Sequence, residues 1–305
     1  MLTDQKILVT GATGSVAAPF IRFLAPHNEV WGAARFSREG SKQHVEALGA
    51  KPVSVDLASG DLSGLPDDFT HVLHLAHYRG APTDVHEAIR NNGEGTGHVL
   101  HHCRKAKAAL VMSSGAVYSA VDDPYDFPSE ESAIGSANTP WAPTSGPSKV
   151  AQEAVARFCA SAFALPVVIT RLNTVYADAQ GFLPPINMDM IMADRDVSVR
   201  WDPMPHHPIH VDDMCSQLEA MLDAATAPAN IVNWGGDEVV TTQEWCAMVG
   251  EFSGKEVRLK TEPVANATHT AGSDQTKRLS ITGPSQIPFR DAYRAIYDAR
   301  YDSKA

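Results

Sequence analysis

The chain has 305 residues, 44% hydrophobic and 20% charged, ordinary for a soluble globular protein and enough for one large α/β unit or two intimate domains. A formal net charge of -11 argues against a nucleic-acid partner, which would need a positive footprint. No apolar stretch approaches the ~18 residues of a membrane span, so no membrane partner is expected.

"KILVTG" (6–11) reads as a strand that begins almost at once, with no export signal before it. Cys103, Cys159, Cys215 and Cys246 are too far apart for a metal or redox pair and read as buried apolar residues. Both observations point to the cytoplasm. "VTGATGSVA" follows the strand and opens a helix expected over 15–25. Gly11 and Gly14 suit a tight turn whose backbone, through Thr13, Ser15 and Val16, cradles a pyrophosphate at the helix N-terminus. Small Ala17 lets that helix pack closely. The next strand, "EVWGAA" (29–34), should end in an acid if an NAD ribose is held there. Ala34 stands at that place, followed by Arg35 and, nearby, Arg38, which favours NADP over NAD.

"KPVSVD" (51–56) leads to Asp56 and Leu57, placed to meet the adenine end. "HVLHLA" (71–76) carries Leu75 and Ala76 to the strand's C-terminal end, where His77 and Tyr78 follow and where such sheets bind ligands. His71, His74 and His77 are three apart, so strand periodicity scatters them and no metal site is expected. His74 reads as a core histidine. A helix is expected over 84–107, a strand over 108–114, a helix over 148–163 and a strand over 165–172. Near-continuous apolar strands alternating with helices predict a Rossmann-type, doubly wound parallel sheet.

After residue 176 the pattern breaks. Residues 177–208 hold five prolines and four methionines and look like an irregular cap. A helix at 209–225 and a strand at 229–236 return to the sheet domain, expected to comprise 1–176 with 209–236. The cap then comprises 177–208 and 237–305, ending in an amphipathic helix over 288–300.

These residues resemble the extended short-chain dehydrogenase/reductase superfamily, also described as the NAD-dependent epimerase/dehydratase family. The resemblance covers nearly the whole chain, through "GATGSVA" (11–17), "VDL" (55–57), "HLA" (74–76), "NNGEGTGHVL" (91–100), "MSSGAVY" (112–118), "GPSKVAQE" (146–153), "RLNTVYA" (171–177) and "IHVDDM" (209–214). It implies hydride transfer at a carbon bearing a hydroxyl or carbonyl. Ser114 matches the residue that bonds the substrate oxygen, Lys149 the lysine on the nicotinamide ribose, and Asn92 a structural asparagine. The position of the proton-donating tyrosine, four residues before Lys149, is Ser145.

A phenol near pKa 10 can be brought toward neutrality by a neighbouring ammonium, whereas an aliphatic hydroxyl begins several units higher. Ser145 is therefore no direct acid. Three readings compete: a donor moved to His77, Tyr78, Tyr118, His206 or His207; a dinucleotide-binding protein without turnover; or a tyrosine replaced by design. Over 178–213, Asp178, Asp189, Asp194, Asp196, Asp202, Asp212 and Asp213 face only Arg195 and Arg200, a balance that does not suit a nucleotide-sugar diphosphate. Met188, Met190, Met192, Met204, Leu183 and Trp201 suggest an apolar wall, or else the cap's own core. The expectation is an NADP-dependent oxidoreductase acting on a small, fairly apolar ketone or alcohol, with an epimerase or dehydratase as the alternative. A homodimer is expected through helices 84–107 and 148–163, where Val150, Ala154, Val155, Phe158 and Ala162 form a stripe that could equally pack on the sheet.

Overall fold

A computed structural model describes residues 2–78, 83–135 and 142–302. The chain forms two compact units. One comprises Met1–Val117, Trp141–Arg171 and Cys215–Val232; the other comprises Tyr118–Pro140, Leu172–Met214 and Asn233–Ala305.

The first unit is built on a seven-stranded sheet. Its strands are β1 (Lys6–Thr10), β2 (Glu29–Ala34), β3 (Lys51–Ser54), β4 (His71–His74), β5 (Ala108–Ser114), β6 (Val167–Leu172) and the strand Asn230–Trp234. Their spatial order is Asn230–Trp234, β6, β5, β4, β1, β2, β3, and the ladders joining β3, β2, β1, β4 and β5 are parallel. This is the Rossmann order, and the direction of winding reverses between β1 and β4, where the carboxyl ends of strands form a ligand crevice. β4 is buried along its length and β5 over its first six residues, as strands covered on both faces must be. Only the last residue of β5, Ser114, is partly exposed.

The helices here are α1 (Ala17–Leu24), α2 (Ser41–Ala47), α3 (Val85–Ile89), α4 (Gly95–His102) and α5 (Ser145–Phe163). The single helix expected over 84–107 is broken, because a π-turn, Arg90–Glu94, separates α3 from α4 and α4 ends at His102. The Asn91 side chain donates to Glu87 O at 2.8 Å, competing for the carbonyl that a regular helix reserves for the Asn91 backbone N–H. α5 starts three residues before the expected 148. Pro147 falls in its first turn, where a missing N–H costs nothing. That extra turn brings Ser145 into the helix. Ala154, Phe158 and Ala162 face outward on α5, while Gln152, Glu153, Ala156, Cys159 and Ala160 are buried. The stripe therefore divides, with Val155 packed against the core and Ala154, Phe158 and Ala162 facing away from it.

The second unit has its own core. α6 (Leu183–Met192), α7 (Val211–Asp223), α8 (Thr242–Ser253), α9 (Thr276–Thr282) and α10 (Phe289–Tyr297) follow in order, with α7 continuing into the first unit. Met188 and Ile191 of α6 pack with Trp245, Phe289 and Tyr293, and Met190 and Met192 lie against the same cluster. These methionines are core, not the wall of a substrate site. The acidic surplus counted over 178–213 is also largely met by cations from beyond that window. Arg300 pairs with Asp178 and Asp189, Lys255 with Asp194, and Arg258 and Lys260 with Asp196. Asp213 accepts backbone N–H bonds from Gln286 and Ile287. The charge argument against an anionic substrate therefore lapses. No helix among the described residues is long and apolar enough to cross a membrane.

Candidate active site

At the end of β1 the chain turns through Gly11, whose φ of +68° lies in the left-handed region. A Cβ there would stand 2.8 Å from Ala76 Cα and 3.1 Å from the Leu75 carbonyl carbon, so only glycine lets the first turn close against the end of β4. The Gly14 N–H returns to Gly11 O at 2.8 Å, and Thr13, Gly14 and Ser15 are exposed. Val16 precedes α1 and no side chain caps that helix. A tight glycine turn feeding an uncapped helix N-terminus suits a pyrophosphate. At the end of β2, Arg35 and Arg38 are exposed, and the Arg35 guanidinium lies 5.7 Å from the centre of the Tyr78 ring. Asp56 is exposed and accepts the Ala58 N–H at 3.1 Å, and Leu57 is half-buried beside it.

The segment Leu75–Tyr78 is pinned on both sides of His77. The Ala76 N–H donates to Thr10 Oγ1 at 3.3 Å, and the Tyr78 N–H donates to Asn92 Oδ1 at 2.8 Å. Asn92, supplied by the π-turn, also donates through Nδ2 to Ser148 Oγ at 2.9 Å, and Ser148 Oγ donates to Ser145 O at 3.2 Å. One asparagine thus ties the backbone after His77 to the first turn of α5. His77 Nε2 stands 3.4 Å from Ser145 Oγ. That is long for a hydrogen bond, as pairs that tighten only around a bound substrate often are. Tyr78, the neighbouring candidate, turns its ring to Arg35.

Ser114 Oγ accepts the Ala116 N–H at 3.2 Å, leaving its own proton to donate. Lys149 follows Ser145 by one helical turn and is only 2% exposed, its ammonium donating to Met112 O at 2.6 Å and Gln152 Oε1 at 2.7 Å. Behind it, Glu153 takes Arg171 Nη2 at 2.8 Å and Ser113 Oγ at 2.6 Å, a buried ion pair joining β5, α5 and β6. Sequence reasoning passed over Gln152. Its spacing of three from Lys149 on one helix was the available signal.

The other histidines named from sequence are buried. His74 is fully buried between Thr10 Oγ1 at 2.8 Å and Thr96 Oγ1 at 2.7 Å, and burial, with a smaller push from Lys149, drops its pKa to about 3. It is the satisfied core histidine expected. His206 lies buried in the second unit between Thr174 Oγ1 at 2.6 Å and Thr242 Oγ1 at 3.0 Å, its pKa lowered to about 3 by burial and then Arg200. His207 is 6% exposed against the Phe127 ring, and burial followed by Arg278 lowers it to about 4. The Tyr118 hydroxyl donates to Asn233 Oδ1 at 2.6 Å in the second unit. Among the described residues, no group of His, Cys, Asp or Glu could hold a metal ion.

No curated protein matched the sequence. Solved structures similar in fold include the UDP-glucuronic acid 4-epimerase from Bacillus cereus in complex with UDP-glucuronic acid and NAD, at 22% identity and TM-score 0.82, covering 96% of this chain and 98% of that one. The Bordetella bronchiseptica enzyme WbmG in complex with NAD and UDP matches at 21% identity and TM-score 0.80, covering 98% and 95%. The UDP-N-acetylglucosamine 4-epimerase from Methanobrevibacter ruminantium, in complex with UDP-N-acetylmuramic acid, matches at 16% identity and TM-score 0.81 over 100% of both chains. At these identities the likeness is one of fold. A family model matches residues 7–235, a span that holds the glycine turn, the π-turn asparagine, Ser114 and Lys149, and by it the chain belongs to the NAD dependent epimerase/dehydratase family, enzymes that work with a nicotinamide dinucleotide.

Proposed function

We propose that the protein is an NADP-dependent oxidoreductase that moves a hydride to or from the carbinol carbon of a ketone or secondary alcohol, with His77 and Ser145 together in the role of the missing phenol. The observation that carries this reading is the 3.4 Å approach of His77 Nε2 to Ser145 Oγ, one helical turn ahead of Lys149. The bound dinucleotide supplies or accepts the hydride. In the reductive direction Ser114 donates a hydrogen bond to the carbonyl oxygen and polarises it. As negative charge grows on that oxygen, Ser145 Oγ–H gives up its proton and takes one from the protonated His77 Nε2, leaving a neutral imidazole and an alcohol. A hydroxyl can do this because it donates and accepts at once. Oxidation runs the same transfer backward. Lys149 holds the nicotinamide ribose.

NADP is favoured because Ala34 replaces the acid that would repel a 2′-phosphate, while Arg35 and Arg38 are exposed beside it. With the methionines in the core, no apolar preference is built on them. A second reading, epimerisation with the dinucleotide retained, is supported by the two UDP-sugar 4-epimerases of like fold. All four cysteines are buried thiols, which supports a cytoplasmic setting. The outward stripe on α5, where Phe158 is 67% exposed, supports a homodimer.

Fluorescence titration tests the cofactor assignment. NADPH should bind at least about tenfold more tightly than NADH, and Arg35→Asp should abolish or invert that preference. Equal affinities in the unaltered protein contradict it.

A further inference from the structure

Lys149 stands at one end of a buried hydrogen-bond chain whose polarity can be read link by link. Gln152 Nε2 donates to Thr96 Oγ1 at 3.2 Å. The single proton of that hydroxyl goes to Asn92 O at 2.6 Å. Thr96 Oγ1 therefore only accepts from its other neighbours, and His74 Nε2, at 2.7 Å, must carry a proton. His74 is neutral, so its Nδ1 accepts from Thr10 Oγ1 at 2.8 Å, and Thr10 Oγ1 in turn accepts the Ala76 N–H at 3.3 Å. Thr10, Thr96, His74 and Gln152 are each fully buried. Reversing the Gln152 amide would set its nitrogen against the Lys149 ammonium, a buried donor facing a donor, at a cost of about 1–3 kcal/mol.

The consequence falls on Gln152. Because Thr96 offers it only lone pairs, the amide nitrogen must face Thr96, and the amide oxygen is forced toward the Lys149 ammonium. We propose that Gln152 is a positioning residue for Lys149. Together with Met112 O it holds the Lys149 ammonium and thereby sets where that ammonium stands toward a bound nicotinamide ribose. The far end of the chain is Thr10, next to Gly11, so the ribose lysine and the pyrophosphate turn are ordered by one continuous set of bonds. This rests on the dinucleotide reading above and adds to it a residue that acts through Lys149 without touching the cofactor.

Two ligands separate the possibilities: NADPH, which carries the nicotinamide ribose, and adenosine 2′,5′-bisphosphate, which lacks it. Gln152→Met keeps the bulk and removes the acceptor. It should weaken NADPH about tenfold and leave the bisphosphate unchanged. Gln152→Glu restores an oxygen toward Lys149 but sets another against the Thr96 lone pairs, so it should recover only part of the loss. If Gln152→Met does not fold, Thr96→Val cuts the chain one link further on and should also weaken NADPH selectively. NADPH affinity unchanged in the variants that fold, or both ligands weakened alike, overturns the positioning role. An unaltered protein that binds neither ligand overturns the cofactor reading, and this proposal with it.

Discussion

Ser145 sits where the family pattern sets a phenol, and its chemistry forces the proton elsewhere. An aliphatic hydroxyl cannot be poised near neutrality, but it can relay a proton from a group that is. His77, one of the candidates named from sequence, meets Ser145 in the structure. From the sequence a tyrosine should fit at 145, since the fold normally holds a phenol there. The structure leaves little room. Ser145 is 6% exposed and an imidazole stands 3.4 Å from its hydroxyl. We expect Ser145→Tyr to displace His77 and lower kcat about 10²-fold or more, read as steady-state turnover on any ketone the protein reduces. A rise of about 10²–10⁴-fold, the worth of a well-placed general acid, would show instead that the serine is a lost donor and not a relay.

Between residues, the element that makes the site is the short segment after β4. It has no regular structure of its own and is held by its neighbours: the glycine turn of β1 packs on Ala76, and the π-turn asparagine grips the Tyr78 N–H. A helix without the π-turn would shift every later side chain in register and point Asn92 away. The same dependence makes Gly11 structural as well as cofactor-facing. Gly11→Ala combines a left-handed φ with a backbone contact at 2.8 Å. It should cost about 2 kcal/mol or more, seen as a lower urea midpoint at unchanged m-value, and should abolish dinucleotide binding. A variant of unchanged stability would mean that the turn yields easily and does not set the position of Ala76.

At the scale of the whole chain, much of the fold was legible because buried parallel strands announce themselves as apolar runs and because eight motifs stand in order. The glycine turn, Ser114, Lys149 and the core histidine His74 could be named from sequence for the same reason: each belongs to a local pattern. What escaped depends on partners far away in the chain. The break at Arg90–Glu94 arises from side-chain competition inside a helix that periodicity alone would continue. The aspartates of α6 and the residues after it looked like an acidic surplus because their cations lie far along the chain, with Lys255 sixty-one residues beyond Asp194. Gln152 looked like one more polar residue on a helix until its amide was seen between Lys149 and Thr96. We propose that hydride transfer runs with His77 as the ultimate proton source. Its most direct test is single-turnover oxidation of bound NADPH by a ketone panel, comparing the unaltered protein with His77→Ala. The account predicts oxidation with some ketone and a loss of about 10²–10⁴-fold in the variant at unchanged NADPH affinity; tight NADPH binding with no oxidation by any ketone, or a variant as fast as the parent, would contradict it.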